Sequence, residues 1–195
     1  MVKIQVASDI AEPDTAVKIA DIYVNGFYDV AFKYFSKDKE KLKKAAAEML
    51  LIQYFYVAEI DSEIAGIIAC VEKSGSYLNI DKKPLTKHLG LFRGLFAYFA
   101  LKNYYKKLKN WNSEKTAIID CLVTNPAYRG KGVATALIEH LFALPEYNSY
   151  LLEVADTNIN AVELYKKLGF KETHRKKGPY GSGINYFLYM KYSKE

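Results

Sequence analysis

The stretch Cys121–Phe142, CLVTNPAYRGKGVATALIEHLF, decides the fold. Its first residues continue the strand-forming run TAIIDCLVT that starts at Thr116. From Gly132 onward the apolar residues fall at helical spacing until Pro145. Between the two lies Arg129-Gly130-Lys131-Gly132. A helix leaves its first backbone N–H groups unpaired and carries partial positive charge at that end. Glycines let an anion come close to those groups, and Arg129 and Lys131 add charge. A strand, a glycine loop and a helix in this order suit a phosphorylated ligand.

Spacing excludes two other phosphate loops. A nucleoside-triphosphate loop needs a glycine five residues before the Gly-Lys pair and a Ser or Thr after it; this chain has Asn125 and Gly132 there. A dinucleotide loop would place a third glycine at position 135, which is Thr135, and would open the first strand–helix unit of the domain rather than a late one.

Outward from this stretch, VKIQVAS near the start alternates as a strand, and PDTAVKIADIYVNGFYDVAFKYFS carries Val17, Ala20, Val24 and Phe27 at helical spacing. A second helix is expected over Lys39 to Leu51. YFYVAEIDSEIAGIIACVE reads as two strands joined at Asp61-Ser62. YLLEVA is a strand, NAVELYKKLG is a short helix closed by Gly169, and INYFLYMKY is a last strand. Strands interspersed with helices give an α/β (α+β) domain. With no internal repeat or Pro/Gly/Ser-rich linker, residues 1–195 are expected to form one domain, with 80–115 inserted.

The inserted segment holds the charge. The chain carries a net +6, and the segment from Ile80 to Lys115 has nine basic residues against two acidic ones, a net +7. Its apolar positions, Leu85, Leu89, Phe92, Leu95 or Phe96, and Phe99, recur at three- to four-residue steps, Leu91, Phe96 and Tyr98 widen that face, and Gly90 and Gly94 weaken the helix they imply. Packing on the core is the simplest use of so broad an apolar face, and a homodimer contact is left open. A basic patch can also meet an acidic partner, but no nucleic-acid motif accompanies this one. No apolar run approaches the roughly 18 residues that argue for a membrane span, and MVKIQVASDI lacks a signal-peptide pattern. Cys70 and Cys121 both sit in strand-like sequence and read as buried thiols; His88, His140 and His174 lack ligand spacing, so no metal is expected. A cytoplasmic location follows as the expectation.

Two motifs carry a family resemblance. Arg129-x-x-Gly132-x-Ala134, preceded by Asn-Pro-x-Tyr, and Asn158-x-x-Ala161-x-x-Leu164-Tyr165-x-x-x-Gly169-Phe170 stand in the right order, each after a strand. Together they resemble the GCN5-related N-acetyltransferases, and VAEIDSEIAGIIA resembles the family's second and third strands. The resemblance implies a mixed central sheet of about six or seven strands flanked by helices. It implies acetyl-coenzyme A as donor and direct transfer to a primary amine of a small molecule or a protein N-terminus. It places the pyrophosphate on Arg129, Gly130, Lys131, Gly132, Val133, Ala134 and Thr135, largely through their backbone. It places the pantetheine arm along Leu122, Val123 and Thr124, with Asn158 also on the arm. The family usually has valine where this chain has Thr124, a departure of little weight because only main-chain groups are needed there.

For the chemistry, the resemblance implies a backbone N–H near Leu122 to Thr124 as oxyanion donor and Tyr165 as general acid, though with 17 tyrosines in the chain the residue type alone says nothing. Glu153 is the first candidate base, since the ribosomal-protein N-terminal acetyltransferases place a glutamate there, and Asp120 is the second. The acceptor site is expected from residues 19–34 and 177–186, which hold Tyr23, Phe27, Tyr28, Tyr180 and Tyr186. Aromatic walls suit a cation or an apolar amine. The competing expectation is a non-catalytic coenzyme A sensor on the same fold.

Overall fold

The structure is a computed structural model that describes residues 2–72, 76–108, 115–179 and 181–194. Its centre is a seven-stranded sheet in the order β1-β2-β3-β4-β5-β7-β6. The strands are β1 (Lys3–Val6), β2 (Phe55–Ile60), β3 (Glu63–Glu72), β4 (Thr116–Thr124), β5 (Ser149–Ala155), β6 (Lys171–Lys177) and β7 (Tyr186–Ser193). Every neighbouring pair is antiparallel except β4 and β5. The helices are α1 (Thr15–Phe27), α2 (Lys39–Ala47), α3 (Lys82–Leu89), α4 (Leu91–Leu108), α5 (Val133–Ala143) and α6 (Ile159–Lys167).

Alternation along the strands builds a core on each face of the sheet. Phe55, Val57, Ile67 and Ile118 face one way and pack with α1 to α4. Ala58, Ile68, Ile119 and Leu152 face the other way and pack with α5 and α6. The hairpin turns at Asp61 and Ser62, both at positive φ (52° and 65°), which is the geometry a two-residue hairpin demands. Cys70 and Cys121 are buried free thiols.

Three elements depart from the sequence reading. Helix α2, capped by the Asp38 carboxylate on Lys41 N–H, stops at Ala47 rather than Leu51. Beyond it the chain pairs with the segment after β3: Leu51 N–H donates to Tyr77 O at 2.9 Å and Asn79 N–H to Met49 O at 2.8 Å. The inserted segment is two helices, parted where Gly90 takes φ +83°. Helix α4 buries Ala97 and Tyr105 and leaves Leu91, Phe92, Phe96 and Phe99 exposed, so its broad apolar face is only half used. Strand β6, KETHRKK, has every residue exposed and is held by its ladder to β7. Among the described residues, no helix is long and apolar enough to cross a membrane.

Candidate active site

The parallel pair β4/β5 is joined only from Thr116↔Ser149 to Ile119↔Leu152, although β4 continues to Thr124 and β5 to Ala155. Past Ile119 the two strands part. Leu122, Val123 and Thr124 keep their partners on β3 (Ile68, Ile67 and Gly66), so among the described residues the opposite edge of β4 has no strand beside it. Such an edge presents backbone donors and acceptors to any extended, amide-bearing ligand.

The loop after β4 delivers the start of α5 to the mouth of this opening. Asn125 turns the chain by accepting from Ala127 N–H at 3.2 Å. Gly130 and Gly132 follow with φ of +75° and +76°, a region that costs other residues about 1–2 kcal/mol. Ala136 N–H, donating to Gly132 O at 2.9 Å, makes the first turn's bond, so the N–H groups before it have no intrahelical acceptor. A Cβ on Gly130 or Gly132 would meet nothing within 4 Å, which leaves the loop surface open to a ligand. Gly66 sets how close α5 sits to the sheet, since a Cβ there would lie 2.6 Å from a Val133 methyl. Lys131 stands over the Tyr128 ring at 4.9 Å, and Arg129 is exposed. Val133 is buried and anchors the helix, while Ala134 and Thr135 are half-buried beside the loop. The Asn158 carboxamide oxygen caps α6 on Ala161 N–H at 3.4 Å, and its amide N–H₂ remains exposed.

The carboxylates stand where the strands part, one residue past the last parallel pair. Asp120 is an extra residue in β4, because Ala69 pairs with Cys121 and Cys70 with Ile119. This bulge turns its side chain toward α4. Tyr104 Oη donates to Asp120 Oδ1 at 3.2 Å. Oδ2 is buried without a hydrogen-bond partner among the described residues, as is the Tyr105 hydroxyl beside it. Burial pushes the Asp120 carboxyl up to about 7; the Tyr104 phenol and, less strongly, the Tyr105 phenol oppose that rise, and the charge of Glu153 adds to it. Glu153 is half-buried on β5 opposite Tyr189 of β7, whose phenol is pushed up by burial and by Glu153.

Tyr165 enters from the other face of the sheet. It is buried on α6 with its ring edge-on to Phe170 at 5.7 Å, and burial raises its phenol, with the Cys121 thiol adding to the shift. A phenol so raised stays protonated at neutral pH.

The aromatic residues expected at the acceptor side are dispersed. Tyr23 lies inside the core, its hydroxyl 3.2 Å from that of Tyr77. Phe27 is half-buried against the Tyr23 ring at 5.4 Å. Tyr28 donates to Lys37 O at 3.3 Å and lies under the Lys39 ammonium. Tyr186 is half-buried under Arg175, and Tyr180 lies outside the described residues. The sequence reading did not single out Tyr104, Tyr105 or Tyr77. The available signal was the buried spacing of Ala97, Leu101 and Tyr105, which turns that end of α4 toward the sheet. An open cleft of about 710 Å³ between α1, α2 and α3 includes Asn125, but Lys43 there is already paired with Asp21 at 2.6 Å and Glu40 at 2.7 Å.

A mixed sheet with one parting parallel pair, and a glycine-started helix at its mouth, defines the architecture of this α/β protein. The Acetyltransferase (GNAT) family profile matches residues 18–170, and the chain belongs to that family. An N-acetyltransferase from Staphylococcus aureus superposes with a TM-score of 0.64 at 20% identity, over 97% of this chain and 100% of that one. The ribosomal-protein-S18-alanine N-acetyltransferase from Escherichia coli does so with 0.55 at 16%, over 99% and 94%. A chain of the NatC complex bound to Gag peptide and CoA gives 0.58 at 15%, over 100% and 99%. At these identities the likeness is one of fold. No curated protein sequence matches the chain.

Proposed function

We propose that this protein is an acetyl-coenzyme A-dependent N-acetyltransferase acting on a primary amine, of a small molecule or a protein N-terminus. The observation that carries the reading is the free edge of β4 beyond Ile119, which meets the open first turn of α5 and has Asp120 at its base. These residues fit the donor. Backbone groups of 122–124 suit its amide arm, those of 130–135 suit its pyrophosphate with Arg129 and Lys131 alongside, and the exposed Asn158 amide is a further donor for the arm. Bound there, acetyl-coenzyme A supplies an acetyl group activated as a thioester.

The chain's own groups divide the proton work. A lysine-type ammonium is neutral about once in 2,500 molecules at pH 7, so an acceptor amine needs a base within reach. Asp120 is the better placed carboxylate, with one oxygen anchored by Tyr104, the other unpartnered, and a pKa near neutrality. Glu153, one strand away, keeps that base weakly acidic and adds negative charge that draws an ammonium in. Tyr165, protonated on the opposite face, is the general acid. The exposed N–H groups of the β4 edge and the α5 terminus provide fixed dipoles for a developing oxyanion.

Thiol release from acetyl-coenzyme A with a panel of amines and N-terminal peptides tests the reading, alongside thermal shifts with coenzyme A, ATP and NAD. Stabilisation by coenzyme A compounds alone, with release on one amine class, is the expected result. Stabilisation without release on any amine would make the protein a coenzyme A sensor.

A further inference from the structure

We infer that Tyr104, carried by the inserted helix α4, is a positioning residue that holds the Asp120 carboxyl at the opening between β4 and β5, so that the insertion completes the acceptor side of the site. The inference rests on the reading of Asp120 as the base.

Three observations lead to it. Asp120 is the bulged residue of β4, so the pleat does not dictate its side-chain direction and something outside the strand must. The Tyr104 hydroxyl does so, donating to Oδ1 at 3.2 Å and leaving Oδ2 buried and unpartnered for a proton arriving on the acceptor. Helix α4 is itself held in place. Tyr105 is buried with its ring 5.7 Å from that of Tyr77 and 5.3 Å from that of Tyr104, and Tyr77 in turn bonds Tyr23 of α1. Gly94 abuts α3 so closely that a Cβ would lie 2.5 Å from Thr86 Cα. An insertion serving only as packing has no need to end at a carboxylate.

The groups facing Asp120 are Tyr104 and Tyr105 from α4, Tyr23 from α1, Tyr77 from the segment after β3, Glu153 from β5 and Cys121 from its own strand. None is a cation. Among the described residues, two phenols act on this carboxyl: Tyr105, the lesser influence, and Tyr104, whose hydroxyl donates to Oδ1. Both favour the ionised form, while burial and Glu153 oppose it.

The test is Tyr104→Phe, with 3-fluorotyrosine at position 104 as a stronger donor of the same shape. Two quantities are read: the acidic limb of kcat/KM against pH, and the Asp120 carboxyl titration by ¹³C NMR on the protein without donor. Losing the donor should raise both midpoints by about one pH unit. That costs about tenfold in rate at pH 6 and little at pH 9. Fluorotyrosine should move both midpoints downward, even if the phenylalanine variant folds poorly. An Asp120 midpoint unmoved by either change, with Asp120→Asn inactive, overturns the positioning role alone. Full activity of Asp120→Asn instead removes the base, and the positioning role falls with it.

Discussion

The two sides of the opening between β4 and β5 are built from different materials. The donor side, on the function proposed, is backbone: a strand edge with no neighbour among the described residues and the first turn of α5, shaped by Gly130 and Gly132. The acceptor side, on the function proposed, is side chains: Asp120 on β4, Glu153 on β5 and Tyr104 on α4, with Tyr105 and Tyr77 packed in the core behind them. A site made of backbone tolerates changes in most side chains and fails when φ is disturbed. A site made of converging side chains fails atom by atom.

The sharpest way to break this contrast is Asp120→Asn. It should lower turnover about 10²- to 10⁴-fold while leaving coenzyme A affinity unchanged by calorimetry. A matching loss of affinity would erase the division between the two sides. Next is Tyr165→Phe, expected to cost about 10²-fold in turnover with cofactor binding intact, read by single-turnover kinetics.

On the donor side the expectation reverses. Gly132→Ala forces a side chain to φ +76° and should weaken coenzyme A binding about tenfold, with turnover at saturation nearly preserved.

The smallest effect is one of stability. The folded Asp120 carboxyl titrates near 7, above its unfolded range near 3.9, so its contribution is complete below about pH 4 and is lost as pH rises through 7. Asp120→Asn should therefore be more stable than the parent above pH 7, by about 1–3 kcal/mol, with the gap closing toward pH 4 in urea melts. A gap that widens toward acid would mean that the carboxyl is stabilised as the anion.

The same contrast explains what was legible in the sequence. Arg129 to Ala134 and Asn158 to Phe170 are local patterns: their glycines, cap and helical spacing act within one turn of chain, and a linear reading reaches them. The hairpin at Asp61-Ser62 was legible for that reason too. Tyr104 was not, because its role depends on which side of α4 meets the sheet, and that is set by Gly94 against Thr86 and by the break at Gly90. Asp120 could be named from its strand, but the bulge that aims it arises from pairing with β3. Strand β6 was missed because KETHRKK buries nothing, and its conformation comes wholly from its ladder to β7. Tyr23, chosen for its ring beside a pocket, is packed in the core, where composition cannot separate a wall from an interior.

The most direct test of the central claim is acetyl transfer itself, followed by mass spectrometry of an amine panel with the parent protein and Asp120→Asn side by side at pH 8. Acetylated amine is expected with the parent, at least a hundredfold less with the variant, and equal coenzyme A binding by both. Equal product from the two proteins would contradict that claim.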